Sequence, residues 1–175
     1  MRLRSSLVLL AALAAAPLEA CRCREEPVVP PPDPGPREAG ERVPIPGATV
    51  SLLVPERWKH ELEDDVLSLI GPEARVILTV MTVDAAGLDA SLSVLDRELR
   101  RVVRGVALRE LRDLQVDEMP ALVGEGEGRL DGERVDLCVL LVRVPGRKVV
   151  ILFGVALPDT EDADTQAILG SLRRL

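Results

Sequence analysis

Hydrophobic and polar positions change their period several times along the chain. In ATVSLLV (48–54), Val50, Leu52 and Val54 alternate against Thr49 and Ser51, the periodicity of a strand. VLSLI (66–70) and RVILTVMTV (75–83) follow, separated by the turn pair Gly71-Pro72, and the three runs predict an antiparallel meander. From Leu88 to Arg104 the period becomes helical: Leu88, Leu92, Leu95, Leu99, Val102 and Val103 share one face. Asp89 or Ser91 is expected to cap the start and Gly105 to end it. Four more strand runs follow at 106–116, 121–130, 134–144 and 148–157. A second helix closes the chain, with an acidic start at Asp159 to Asp164, an apolar stripe of Ile168, Leu172 and Leu175, and Arg173 and Arg174 at its end. The expected order is βββ-α-ββββ-α.

Two local patterns sharpen this reading. Asp131-Gly132 is a two-residue hairpin loop, which sets Leu130 opposite Glu133, Arg129 opposite Arg134 and Glu127 opposite Asp136. Like charges then face each other while opposite charges sit on the diagonals, a self-neutralising surface quartet. In GEGEG (124–128) the glycines share one strand face with Glu125 and Glu127 on the other, so the glycines predict close approach of a helix. The runs 134–144 and 148–157 are apolar on both faces and are expected at the centre of the sheet.

The region before residue 47 is different in kind. Arg2 and Arg4 precede a short apolar core, Ser5 to Leu13, of the length of an export signal. It ends in LEAC, with Leu18 three residues and Ala20 one residue before Cys21. This resembles a bacterial lipobox, with Glu19 the departure from its usual small or apolar residue. The resemblance implies cleavage before Cys21, a covalent diacylglycerol and N-acyl lipid on that residue, and anchoring at the periplasmic side of a bacterial membrane. Inner and outer membrane are left open. Residues 21–46 are rich in proline, glycine and charge, too poor in apolar area to offset their ordering entropy, and read as an extended tether. The expected organisation is a signal peptide over 1–20, a lipid-anchored tether over 21–46 and one domain over 47–175.

Within that domain the strand and helix order, the proline-to-tryptophan turn of SLLVPERW (Pro55, Trp58) and the SLR ending at Ser171 to Arg173 resemble the Mog1/PsbP-like families, which include DcrB-type bacterial lipoproteins. The resemblance implies an α+β fold, an antiparallel sheet of about six or seven strands with helices on its faces. It also implies a protein that binds or assembles other proteins, and it carries no catalytic residues.

Composition narrows function. The formal net charge is −7 with one Trp, one Phe and no Tyr, so there is neither a basic field nor a stacking platform for nucleic acid, and sugar binding is disfavoured. His60, the one histidine, lies in HELEDD (60–65), read as a solvated connection. Cys138 lies in an apolar run and reads as a small hydrophobe, with a bridge to Cys23 as the minor alternative. Trp58 is the first place to look for a partner pocket, against a core-edge role. Arg97, Arg100, Arg101 and Arg104 form a candidate basic stripe for lipid headgroups or an acidic partner, against a solvated face in which Asp96 pairs with Arg100. Glu125, Glu127 and Asp136 are weak candidates for a divalent cation, opposed by the neighbouring arginines. No catalytic site and no free cofactor is expected. The leading functional expectation is a non-enzymatic, membrane-tethered envelope lipoprotein that binds or assembles an unidentified envelope protein. A binding module or chaperone for a small apolar ligand or hydrophobic peptide segment stands second, and an enzyme with an unrecognised site third.

Overall fold

The computed structural model describes residues 40–109, 111–160 and 163–175. The signal, Cys21, Cys23 and most of the tether therefore lie outside the described residues. Among the described residues eleven strands and two α-helices follow in the order β1 (Gly40–Pro44), β2 (Val50–Pro55), β3 (Lys59–Glu63), β4 (Val66–Ile70), β5 (Val76–Asp84), α1 (Leu88–Val102), β6 (Arg104–Leu108), β7 (Arg112–Val116), β8 (Met119–Leu130), β9 (Glu133–Val144), β10 (Lys148–Ala156), α2 (Ala163–Gly170) and β11 (Arg173–Arg174), with one 3-10 turn at Pro72–Ala74. The main sheet is antiparallel, ordered β3-β4-β5-β10-β9-β8-β6, with β7 also paired to β8; β1, β2 and β11 form a second, three-stranded sheet. This is an α+β fold of the expected class, with a larger sheet than expected.

Burial explains the layers. One face of the main sheet, through Leu67, Leu69, Leu78, Val80, Val142 and Leu152, packs against Val50, Leu52 and Val54 of β2 and Ile168, Leu169 and Leu172 around α2. The other face, through Val139, Leu141, Ile151 and Phe153, packs under Leu95 and Leu99 of α1. Covered on both sides, β10 is buried from Val149 to Gly154, as its unbroken apolar run requires.

Several expectations are corrected. Gly40–Pro44, inside the span expected as tether, is strand β1, paired from Gly40 opposite Pro55 to Pro44 opposite Ser51. Val43 is buried between exposed neighbours, a strand signal outweighed in the sequence by the surrounding prolines. The opening meander is β3-β4-β5, while the 48–54 strand sits in the second sheet. HELEDD is mostly strand: Lys59–Glu63 is an exposed edge strand, turned by Asp64 and Asp65 at φ 45° and 65°. The 106–116 run is two short strands, β6 and β7.

Neither Asp89 nor Ser91 caps α1. Gly87 precedes it in extended backbone, and the buried Ser91 hydroxyl donates back to the Leu88 carbonyl at 2.6 Å. The helix stops at Val102, and Gly105, at φ 60°, instead lies where the β6–β8 register shifts between Arg104 and Ala107. At the C-terminus, Leu175 is 74% exposed, because Arg173 and Arg174 leave the helix to pair with Ser51 and Val50.

Candidate functional site

The Asp131-Gly132 hairpin forms with the expected register, at φ 52° and 94°. Beside it Glu125, Glu127, Arg134 and Asp136 share one face of β8 and β9. There the sheet face turns polar and, with the segment after β10, bounds an open cleft of about 450 Å³. Arg109, Glu125, Arg134, Asp136, Thr160 and Thr165 supply its polar lining, and Val76, Ala156 and Leu157 are among its apolar residues. The Arg109 amide donates to the Glu125 carbonyl at 2.8 Å, which fixes that arginine beside β8, with its guanidinium 4.0 Å from the Glu125 carboxylate. Arg134 reaches diagonally to Glu127 at 2.9 Å, the self-neutralising arrangement read from the turn. The cleft offers both signs of charge over an apolar base, which suits a peptide surface with mixed side chains.

The sequence-predicted residues are dispersed. Glu125, Glu127 and Asp136 share the polar face of β8 and β9, but Glu127 is engaged by Arg134, and among the described residues no three histidine, cysteine or acidic side chains are placed to hold a metal ion. Arg97, Arg100 and Arg101 do not form a free basic stripe: Arg97 and Arg101 pair with Glu98 at 3.2 and 2.7 Å, and Arg100 with Asp96 at 2.8 Å. That Arg100 hydrogen bond holds the Asp96 carboxyl below its ordinary value. Arg104 lies on β6, off the helix. His60 is exposed on edge strand β3, separated from Cys138 on β9 by β4, β5 and β10, so the two cannot act as a base and nucleophile pair. Over the GEGEG glycines it is the chain leaving α1 that approaches, not a helix: a Cβ on Gly128 would lie 2.3 Å from Val103 Cγ1, and one on Gly126 would lie 2.6 Å from the Ala107 carbonyl oxygen.

Trp58 is not an exposed anchor. It is 6% exposed, lies over Gly71, and donates from Nε1 to Asp164 Oδ2 at 3.0 Å. Arg57 donates to both oxygens of the same carboxylate, from Nε at 2.8 Å and from Nη2 to Oδ1. The Arg57 guanidinium holds the Asp164 carboxyl below the usual carboxylate range, with burial opposing and the Trp58 indole assisting. Tryptophan and the acidic helix start are both visible in the sequence, but their partnership across 106 positions is not. Asp164→Ala removes an anionic acceptor from a buried donor and is expected to cost about 2 kcal/mol in urea unfolding. Because the folded-state pKa is depressed, this contribution is fully present above the unfolded value near ~4 and is lost as pH falls through the folded value. The wild-type advantage over Asp164→Ala should therefore shrink below about pH 4.

The chain matches no protein-family model and no curated protein. Its fold is shared by solved structures. CyanoP, the PsbP protein of Synechocystis sp. PCC 6803, matches over 82% of this chain and 96% of its own, at TM-score 0.53 and 12% identity. LpqN of Mycobacterium tuberculosis, described as involved in cell envelope biogenesis, matches over 77% of this chain and 89% of its own, at TM-score 0.52 and 17% identity. A protein from Bacteroides thetaiotaomicron matches over 78% of this chain at TM-score 0.57 and 11% identity, and the chain spans 48% of that longer protein. Similarity at this level identifies the fold, a PsbP-like α+β sandwich built on an antiparallel sheet.

Proposed function

We propose that the chain is an exported lipoprotein, acylated on Cys21 and tethered to the periplasmic side of a bacterial membrane, whose PsbP-like domain binds another envelope protein without catalysing a reaction. The observation that carries this reading is the coupling of LEAC and a proline-rich tether to a domain whose mixed-charge cleft is open to solvent. The cleft is lined by side chains of both signs, as a protein surface requires and an apolar ligand does not. LpqN, with the same fold and a described part in envelope biogenesis, supports the compartment. Kinship with the DcrB-type lipoproteins belongs to this reading too.

Expression of the full chain in a diderm bacterium, followed by intact-mass measurement of the detergent phase, tests the anchor. The expected product lacks residues 1–20 and carries acyl chains, and Cys21→Ala abolishes both the acylation and the partitioning. An unacylated wild-type product in the aqueous phase would overturn the lipoprotein reading.

A further inference from the structure

An irregularity in β6 re-aims one side chain. Val106 and Leu108 turn toward the α1 side of the sheet, where they pack in the cluster of Leu95 and Leu99. Unbroken alternation along β6 would send Arg104 the same way, under the helix. Instead the register shifts between Arg104 and Ala107, where Gly105 adopts φ 60°. The extra residue reverses the alternation: Val103 is the side chain buried with Val135 and Leu137, and Arg104 is exposed on the opposite face.

On that face Arg104 stands opposite Arg129 of β8, and Arg129 stands opposite Arg134 of β9. Three exposed arginines thus lie abreast on three neighbouring strands, with the Cα atoms of each pair about 5 Å apart. Like charges directly opposite one another are destabilising, and the surrounding acids relieve only part of this row. Glu127 holds Arg134 at 2.9 Å. Arg129 donates from Nη1 to the Gly132 carbonyl at 3.1 Å, a contact that positions the guanidinium and leaves its charge unmet. Ala107, the β6 residue opposite Glu127, brings no acid to Arg104. Among the described residues Arg104 makes no hydrogen bond or ion pair, and neither Asp131 nor Asp136 pairs with Arg104 or Arg129. Two guanidiniums are left side by side, each with its donors in a fixed fork.

We propose that Arg104 and Arg129 bind a phosphate group, with Arg134 as the third cation beside them. Two guanidiniums match the charge of about −1.5 to −2 on a phosphate monoester at pH 7, and their N–H forks suit its oxygens in bidentate fashion. A carboxylate, with one charge, would leave one of the two arginines unmet. A free phosphate and the headgroup of phosphatidic acid present the same chemistry, and the test separates them. The site adds a small anion to the border of the cleft and does not rest on the protein-binding reading.

The purified, isotopically labelled chain is titrated with sodium phosphate and read by the Nε–Hε magnetic resonance signals of its arginines, against sodium chloride at matched ionic strength. Phosphate is expected to move the Arg104 and Arg129 signals saturably, with half-saturation at about 1 mM, the affinity that two charge-assisted contacts supply. Chloride should leave them in place. Arg104→Gln and Arg129→Gln should each weaken binding at least about tenfold, whereas Arg101→Gln, an exposed arginine held by Glu98 on α1, should not. Glu127→Gln, which releases Arg134 into the row, should tighten binding about threefold, a gain that a merely structural role would not give. Tighter binding of monomeric short-chain phosphatidic acid than of inorganic phosphate assigns the site to a lipid headgroup; equal or weaker binding assigns it to a free phosphate. Shifts that track ionic strength alone, or binding that survives the Arg104→Gln, Arg129→Gln double substitution, would overturn the site. Shifts produced by a glutamate-rich peptide and not by phosphate would make the occupant an acidic protein segment and overturn the phosphate assignment.

Discussion

Trp58→Ala is expected to destabilise the domain by about 3–4 kcal/mol and to lower its melting temperature by about 10 °C. Two losses combine. The indole packs in the same cluster as Val54, Val76 and Leu169, against the backbone of Gly71, so truncation opens a cavity between the β2–β3 turn and the start of α2. It also removes the Nε1 donor from a carboxylate whose side chain is only 18% exposed. Trp58→Phe separates the terms, keeping most of the packing while losing the donor, and should cost about 1 kcal/mol. Equal losses for the two variants, measured by urea unfolding, would show that the hydrogen bond and not the packing carries the effect. Because Trp58 joins the turn before β3 to the first turn of α2, its loss should also raise hydrogen exchange in α2 before the main sheet.

The same residue shows where sequence reading succeeds and where it stops. Periods of two and 3.6 identify most strands and α1, because their buried faces are set by spacing within one element. The Asp131-Gly132 register is legible for a similar reason: a two-residue loop leaves one pairing, which places Glu127 diagonal to Arg134. What escapes is decided by distant contacts. Lys59–Glu63 has no apolar alternation, since an edge strand exposed on both faces needs none; it is held by backbone pairing to β4. Val43 is buried only because β2 runs beside it, and proline density hides that. Among the site residues, Glu125 and Asp136 were visible from the hairpin. Arg109, Thr160 and Thr165 were not, because they reach the cleft from segments far apart in sequence.

Gly126→Val is expected to cost about 3 kcal/mol, at the upper end for overpacking. A Cβ at this position would lie 2.6 Å from the Ala107 carbonyl oxygen and 3.0 Å from Leu108 Cα, both backbone atoms. Side-chain rotation cannot relieve such contacts, so β6 must move away from β8. Gly170→Ala, with nothing near its added carbon, is the control and should change stability by less than about 0.5 kcal/mol. The damage should be local: faster hydrogen exchange across 104–108 and loss of the Arg109 amide bond to the Glu125 carbonyl, with β10 still protected. Arg109, Glu125 and Gly126 all line the polar cleft, so that surface should be deformed. Uniform loss of protection across β5, β9 and β10 would show that β6 is part of the core and not a detachable edge.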